Sequence, residues 1–189
     1  MKQDRRSKRT RLWLYEGLME LMKSKDYGDI SITELTEKSD IARQSFYRIY
    51  DSKDDILLSK MNDIHREIFD ESELDLEQEK DPFLDIVIHK LVKAFEENEV
   101  FFTALLNAGL QHKALTQFSE YIGRFYAKEK NYQELDERNQ YRIHFIVGGI
   151  YMVLFKWNEC NMDTPTETII TIMQKSAKHI NLIIEEHSI

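Results

Sequence analysis

The chain is poor in residues that interrupt or staple a backbone: among 189 residues there are two prolines, six glycines and one cysteine. Scarce proline and glycine remove the punctuation that a multi-stranded sheet needs at its turns. Apolar residues instead recur at three-to-four spacing almost throughout, so the expectation is an all-α fold of about nine helices, with little support for strands. The lone thiol, Cys160, excludes an internal disulfide and fits a reducing, cytoplasmic compartment. No run reaches the roughly 18 apolar residues of a membrane span, and the basic start lacks the apolar stretch of a signal peptide, so no membrane partner is expected.

Catalytic signatures are missing as well. The histidines, His65, His89, His112, His144, His179 and His187, include no pair at the i, i+4 spacing of a helical zinc site, and Cys160 has no neighbouring cysteine. There is no glycine-rich phosphate loop and no serine or cysteine nucleophile motif. Acid pairs such as Asp54-Asp55 and Glu185-Glu186 fit solvated helix faces better than a catalytic couple. The expectation is a protein that is not an enzyme and needs neither metal nor cofactor.

What is present is concentrated in Ser31 to Lys53, SITELTEKSDIARQSFYRIYDSK. Ser31-x-x-Glu34 is a capping box that opens a helix. Ile32, Leu35 and Thr36 lie on one face of it, and Ile41, Phe46 and Tyr50 supply a matching apolar face beyond the turn Ser39-Asp40. Two short helices then share a small core, leaving Arg43, Gln44, Ser45, Tyr47 and Arg48 outside it. Arginine suits guanine O6/N7 and glutamine suits adenine N6/N7 in the major groove, so the partner read from these residues is double-stranded DNA.

This stretch and its flanks, from about Ser7 to Leu58, resemble the N-terminal domain of TetR/AcrR-type transcriptional regulators. The resemblance implies a first helix, Arg9 to Ser24, behind the motif, a turn at Lys25-Asp26-Tyr27-Gly28, and a fourth helix beginning at Asp51-Ser52-Lys53. It implies base-edge contacts for Arg43 and Gln44, phosphate contacts for Ser31, Ser45 and Tyr47, either contact for Arg48, and a phosphate on Lys53 at a helix N-terminus. Two positions depart from the pattern. Asp40 stands where glycine is usual in the turn, and aspartate tolerates a left-handed backbone less well. Ala42 stands where a serine or asparagine would cap the reading helix, a loss of about 1 kcal/mol of helix stability.

The net charge of −8 argues against a polyanionic partner only while it is summed. Met1 to Arg11 holds Lys2, Arg5, Arg6, Lys8, Arg9 and Arg11 against Asp4 alone, and Met1 to Lys53 has 12 Lys/Arg against 9 Asp/Glu, a balance of +3 that leaves −11 for the remainder. One end of the chain is suited to phosphate, with an affinity that falls steeply with salt.

The expected division is a DNA-binding domain over residues 1–58 and a helical regulatory and dimerisation domain over 59–189. Helix four should run from Ser52 to about Phe69, followed by an acidic linker, Glu71 to Lys80. Asp81-Pro82 then caps a new helix carrying Leu84, Val87, Ile88, Leu91, Ala94 and Phe95. Shorter segments follow, Glu99 to Ala108 with Gly109 as its stop, and Lys113 to Lys130.

Asp136 to Cys160 is a long helix around Gly148-Gly149. Mid-helix glycine costs roughly 1 kcal/mol relative to alanine, which points to close helix approach. Thr164-Pro165-Thr166-Glu167 opens a final helix with Ile169, Ile172, Met173, Ala177, Ile180 and Ile184. In the family resembled, this last pair packs against a two-fold mate, so the implied homodimer interface is Gly148, Gly149, Val153, Trp157, Ile169, Ile172, Met173 and Ile180. The segment Val147-Gly148-Gly149-Ile150 through Trp157 also looks like a C-terminal subtype that includes activators of dihydroxyacetone metabolism. A lone helix-turn-helix makes few base contacts, and dimers place two reading helices about 34 Å apart on an inverted-repeat operator. Aromatics from Phe95 to Phe155 are chiefly core, and Tyr121, Tyr141 and His144 are the first polar groups to consider for a small-molecule effector pocket. The leading expectation is a repressor released by such an effector. The alternative is a regulator, including an activator, switched by a partner protein without a pocket.

Overall fold

A computed structural model describes the backbone of residues 2–70, 82–129 and 136–186, and the side chains of 7–68, 85–124 and 136–177. The described residues form nine α-helices, one 3-10 turn and no strand: α1 Lys2–Met22, the 3-10 turn Tyr27–Asp29, α2 Ile32–Lys38, α3 Arg43–Tyr47, α4 Asp54–Asp70, α5 Pro82–Glu97, α6 Glu99–Asn107, α7 Gln111–Glu129, α8 Glu137–Glu159 and α9 Thr166–Glu186. The all-α expectation holds. The first helix is longer than expected, because the basic segment from Lys2 onward is helical too. The acidic linker, and Asp81 as a cap, lie outside the described residues. Among the described residues no helix is long and apolar enough to cross a membrane.

Two compact units result. The first joins Met1–Asp63 to Thr103–Ala114, and the second joins Ile64–Phe102 to Leu115–Ile189. The first unit thus takes in the first ten residues of α4 and the corner between α6 and α7.

In the first unit Leu14, Leu18, Leu35, Phe46, Leu57 and Met61 are fully buried. Each such side chain contributes on the order of 1.5–3 kcal/mol by leaving water. Helix α1 crosses α2 so closely that a Cβ built on Gly17 would lie 2.2 Å from Ser39 Oγ, so a larger residue there requires the serine side chain to move. Helix α2 ends where Asp40 adopts φ 52°, and the Ile41 amide returns to Thr36 O at 2.9 Å and that of Asp40 to Glu37 O at 3.2 Å. That is a Schellman stop with aspartate in the place glycine favours. Gly109, at φ 69°, closes α6 in the same way.

The second unit is packed around aromatic rings. Phe95 stacks on Phe102 with centroids 3.5 Å apart, and Tyr151 and Phe155 meet Phe95 edge-on at 5.9 and 5.6 Å. Helix α5 packs on α8 and α9, which form a hairpin. The hairpin turn is fixed by left-handed Asn161 and Met162 and by Trp157 Nε1 donating to Thr164 O at 2.8 Å. Helix α9 begins at Thr166, directly after Pro165.

Candidate nucleic-acid interface

Helix α2 starts on Ser31, whose hydroxyl accepts the Glu34 amide at 3.1 Å. The return half of the expected capping box is diverted, since the Glu34 carboxylate takes Lys25 Nζ at 2.6 Å. Ala42 occupies the N-cap of α3 in extended conformation with no side-chain bond, as its methyl group dictates. Helix α3 is therefore held by its buried face. Phe46 is fully buried, meets Tyr47 edge-on at 5.2 Å and lies 6.1 Å from Tyr50, which is buried too.

With Phe46 turned inward, Arg43, Gln44, Tyr47 and Arg48 are exposed and Ser45 is half-buried. Arg43 and Tyr47, one turn apart, are coupled: Arg43 Nη2 donates to the Tyr47 hydroxyl at 3.3 Å, and the guanidinium lies 5.6 Å from the ring centre. Such a pair restricts both long side chains before any contact with DNA. Exposed Ser31 stands at the start of α2, where its hydroxyl is already engaged as the cap.

Lys53 stands at the N-terminus of α4, as the resemblance implies, and its ammonium is engaged within the chain. It precedes α4 and is half-buried, and its ammonium donates to the carbonyls of Tyr27 and Ile30, the latter at 2.7 Å, with Gly28 O at 3.3 Å. It also lies 4.4 Å from the centre of the Tyr27 ring. This cation fastens the 3-10 turn to the head of α4. The Tyr27 hydroxyl donates to Asp54 Oδ1 at 2.6 Å, and burial together with that carboxylate pushes the phenol far above its ordinary range, so it stays protonated. Asp54 Oδ2 accepts Lys113 Nζ at 2.7 Å. Burial alone would raise the Asp54 carboxyl, but the hydrogen bonds from Lys113 and Tyr27 and the charges of Lys113 and Lys53 hold it below its ordinary value. Asp55 Oδ2 accepts the amides of Asp51 and Ser52 at 3.0 and 2.7 Å, so the loop after α3 is also tied down. Helical periodicity carries no sign of the Lys53–Tyr27 and Asp54–Lys113 links, because the partners lie 26 and 59 residues apart.

In the hairpin, Gly149 and Ile172 are exposed, Gly148 and Val153 are half-buried, and Trp157, Ile169 and Met173 are buried within the chain itself. The side chain of Ile180 lies outside the described residues. A Cβ added to Gly148 or Gly149 meets nothing within 4 Å, so among the described residues no neighbour accounts for either glycine. Of the polar groups considered for a pocket, Tyr141 is 70% exposed and hydrogen-bonds Glu137, while His144 is exposed and engages Gln140 O. Both face outward, not into an interior cavity.

One histidine is fully buried: His65 Nε2 lies 2.7 Å from the Tyr151 hydroxyl, and its ring packs on Phe118 with ring centres 4.5 Å apart. Its Nδ1 and the buried Gln117 Oε1 have no hydrogen-bond partner. Among the described residues no three His, Cys, Asp or Glu side chains converge as metal ligands.

A three-helix head with an exposed α3, joined in sequence to a helical domain, defines a helix-turn-helix regulator of transcription. Residues 84–179 match a family described as a transcriptional regulator C-terminal region, of TetR type, and the chain belongs to the TetR family of transcriptional regulators. Regulators of this family bind DNA.

The fold is similar to that of Lin0861 from Listeria innocua, at 16% identity over 93% of this chain and 92% of that one, with a TM-score of 0.74. A TetR-family transcriptional regulator from Syntrophomonas wolfei is 19% identical, over 93% of this chain and 96% of that one, at a TM-score of 0.67. The dihydroxyacetone kinase operon activator DhaS is 18% identical, over 89% and 96%, at 0.57. At these identities the likeness is one of fold. No curated protein sequence matches the chain.

Proposed function

We propose that the protein is a homodimeric TetR-type repressor that reads an inverted-repeat operator with α3 and is released from it by a small-molecule effector. The observation that carries the reading is the outward set Arg43, Gln44, Tyr47 and Arg48 on a helix anchored by Phe46. Arg43 and Gln44 take base edges; Ser31, Ser45 and Tyr47 take phosphates; Arg48 takes either, and the ammonium of Lys53 reaches a phosphate only by leaving one of its carbonyls. Dimerisation is supported by the exposed apolar residues of α8, Tyr141, Phe145 and Met152, beside glycines at which an added Cβ would meet nothing within 4 Å among the described residues.

The effector part of the reading draws on two buried polar atoms of the helical unit, His65 Nδ1 and Gln117 Oε1, with which no protein group among the described residues pairs and which a hydrogen-bonding guest would engage. Tenfold to hundredfold release needs roughly 1.4 to 2.8 kcal/mol of differential binding. A second reading, an activator switched by a docked protein, draws on the fold shared with an operon activator. A thermal-shift screen with metabolites separates the two. Stabilisation by a metabolite that also lowers operator affinity supports the first, whereas stabilisation only by a stoichiometric protein supports the second.

A further inference from the structure

The corner between α6 and α7 belongs to the same compact unit as α1 to α3, although its Lys113 lies 59 residues from Asp54 in the chain. The corner is well tied. Gly109 turns it at φ 69°, the Leu110 amide returns to Leu105 O at 3.1 Å and that of Ala114 to Leu110 O at 3.0 Å, and Leu105, Leu110 and Ala114 are buried. Lys113 stands in the first turn of α7, where the positive end of the helix dipole disfavours a cation. Its own helix gives no reason for a lysine there. Asp54, the first residue of α4, does: its Oδ2 accepts the ammonium at 2.7 Å. The carboxylate is shared, since Oδ1 accepts the Tyr27 hydroxyl at 2.6 Å. Tyr27 in turn opens the 3-10 turn that leads through the buried Ile30 to Ser31, the cap of α2.

We infer that Lys113 is a positioning residue for operator reading: through Asp54 and Tyr27 it fixes the start of α2, and with it the turn from which α3 projects, without touching DNA. This role rests on the operator reading proposed above. With one oxygen on each partner, the Asp54 carboxylate serves both only in a single orientation. Without the ammonium it is free to turn toward solvent, and the phenol of Tyr27 loses its fixed acceptor. An ion pair whose lysine is 58% exposed adds little to global stability, so the effect falls on the geometry of the head and not on unfolding. Affinity scales with the fraction of heads already in the reading geometry. If that fraction falls to about a third in each of two heads, operator affinity falls roughly ninefold.

The test uses the full chain, the variants Lys113→Met, Lys113→Arg and Tyr27→Phe, and the double variant Lys113→Met/Tyr27→Phe. Each is titrated against a labelled duplex that the wild type has enriched from a random pool. Lys113→Met should bind at least about fivefold more weakly, with the thermal midpoint without DNA and the slope of log affinity against log salt unchanged. Lys113→Arg, which keeps the cation, should bind as the wild type does. The double variant should lose little more than the worse of its two single variants, because both substitutions break one chain of contacts. Unchanged affinity in Lys113→Met overturns the inference. So does a salt slope smaller by about one per half-site, the mark of a direct phosphate contact, and so do losses that multiply in the double variant. Should a midpoint fall, affinities are compared at a temperature where every variant is folded. Amide hydrogen exchange from Tyr27 to Glu34, without DNA, is the second readout: faster exchange in Lys113→Met is expected, and unchanged exchange overturns the role. A wild type that retains no duplex would defeat the operator reading itself, and exchange then decides whether Lys113 holds the turn.

Discussion

His65 Nε2 and the Tyr151 hydroxyl lie 2.7 Å apart in the interior of the helical unit, joining α4 to α8 through one hydrogen bond between two wholly buried side chains. Burial lowers the imidazole to about 3, so it is neutral at physiological pH, and burial likewise raises the Tyr151 phenol and keeps it protonated.

The histidine gives stability a definite pH dependence. In the unfolded chain it takes up a proton near its ordinary value of about 6.5, whereas the folded chain resists protonation down to about 3. Its contribution is therefore complete above pH 6.5 and is lost as pH falls through the interval, at up to about 1.4 kcal/mol per pH unit. Denaturant unfolding at pH 7, 6 and 5 measures that slope. In His65→Phe the slope should be smaller by most of this amount, and an unchanged slope would show that His65 is not buried neutral.

Lys53 should act first on the fold. Replacing it by Met removes donors from the carbonyls of Tyr27, Gly28 and Ile30, at a cost of about 1–3 kcal/mol, read as a lower thermal midpoint without DNA. If its ammonium also reaches a phosphate, the slope of log affinity against log salt shrinks by about one per half-site. Stability lost with the slope unchanged would make it solely a brace for the reading head.

Arg43→Ala and Gln44→Ala should each relax preference at one base pair per half-site, by about 1 to 3 kcal/mol, whereas Tyr47→Phe should weaken binding to all sequences alike. Because Arg43 rests on Tyr47, Tyr47→Ala should also blur the Arg43 position. Competition between operator variants measures all four. A uniform loss for Arg43→Ala would remove its base-reading role.

Gly149→Leu should leave the folded monomer intact, since an added Cβ meets open space within the chain, and should break the dimer and with it operator binding. Sedimentation of the variant decides between this outcome and a stable dimer with its interface elsewhere.

The local part of this architecture was legible in the sequence. Ser31, Asp136 and Gly109 mark helix ends by chemistry that acts within a few residues, and structure follows them. The exposure of Arg43, Gln44, Tyr47 and Arg48 followed from Phe46 and Tyr50 facing the other way. Periodicity does not rank two apolar faces of one helix, and so the burial of Trp157, Ile169 and Met173 within the chain and the exposure of Tyr141 and Phe145 emerged only in three dimensions. Long-range polar partners leave no periodic trace, and so Lys53 with Tyr27, Asp54 with Lys113 and His65 with Tyr151 emerged only in three dimensions.

The most direct test of the central claim is selection of binding sites by the purified protein from a random pool of duplex DNA at near-physiological salt. The account predicts enrichment of an inverted repeat whose half-sites lie one helical turn, or a multiple of it, apart, with preference lost at one position per half-site in Arg43→Ala. A folded, dimeric sample that enriches no motif would contradict it.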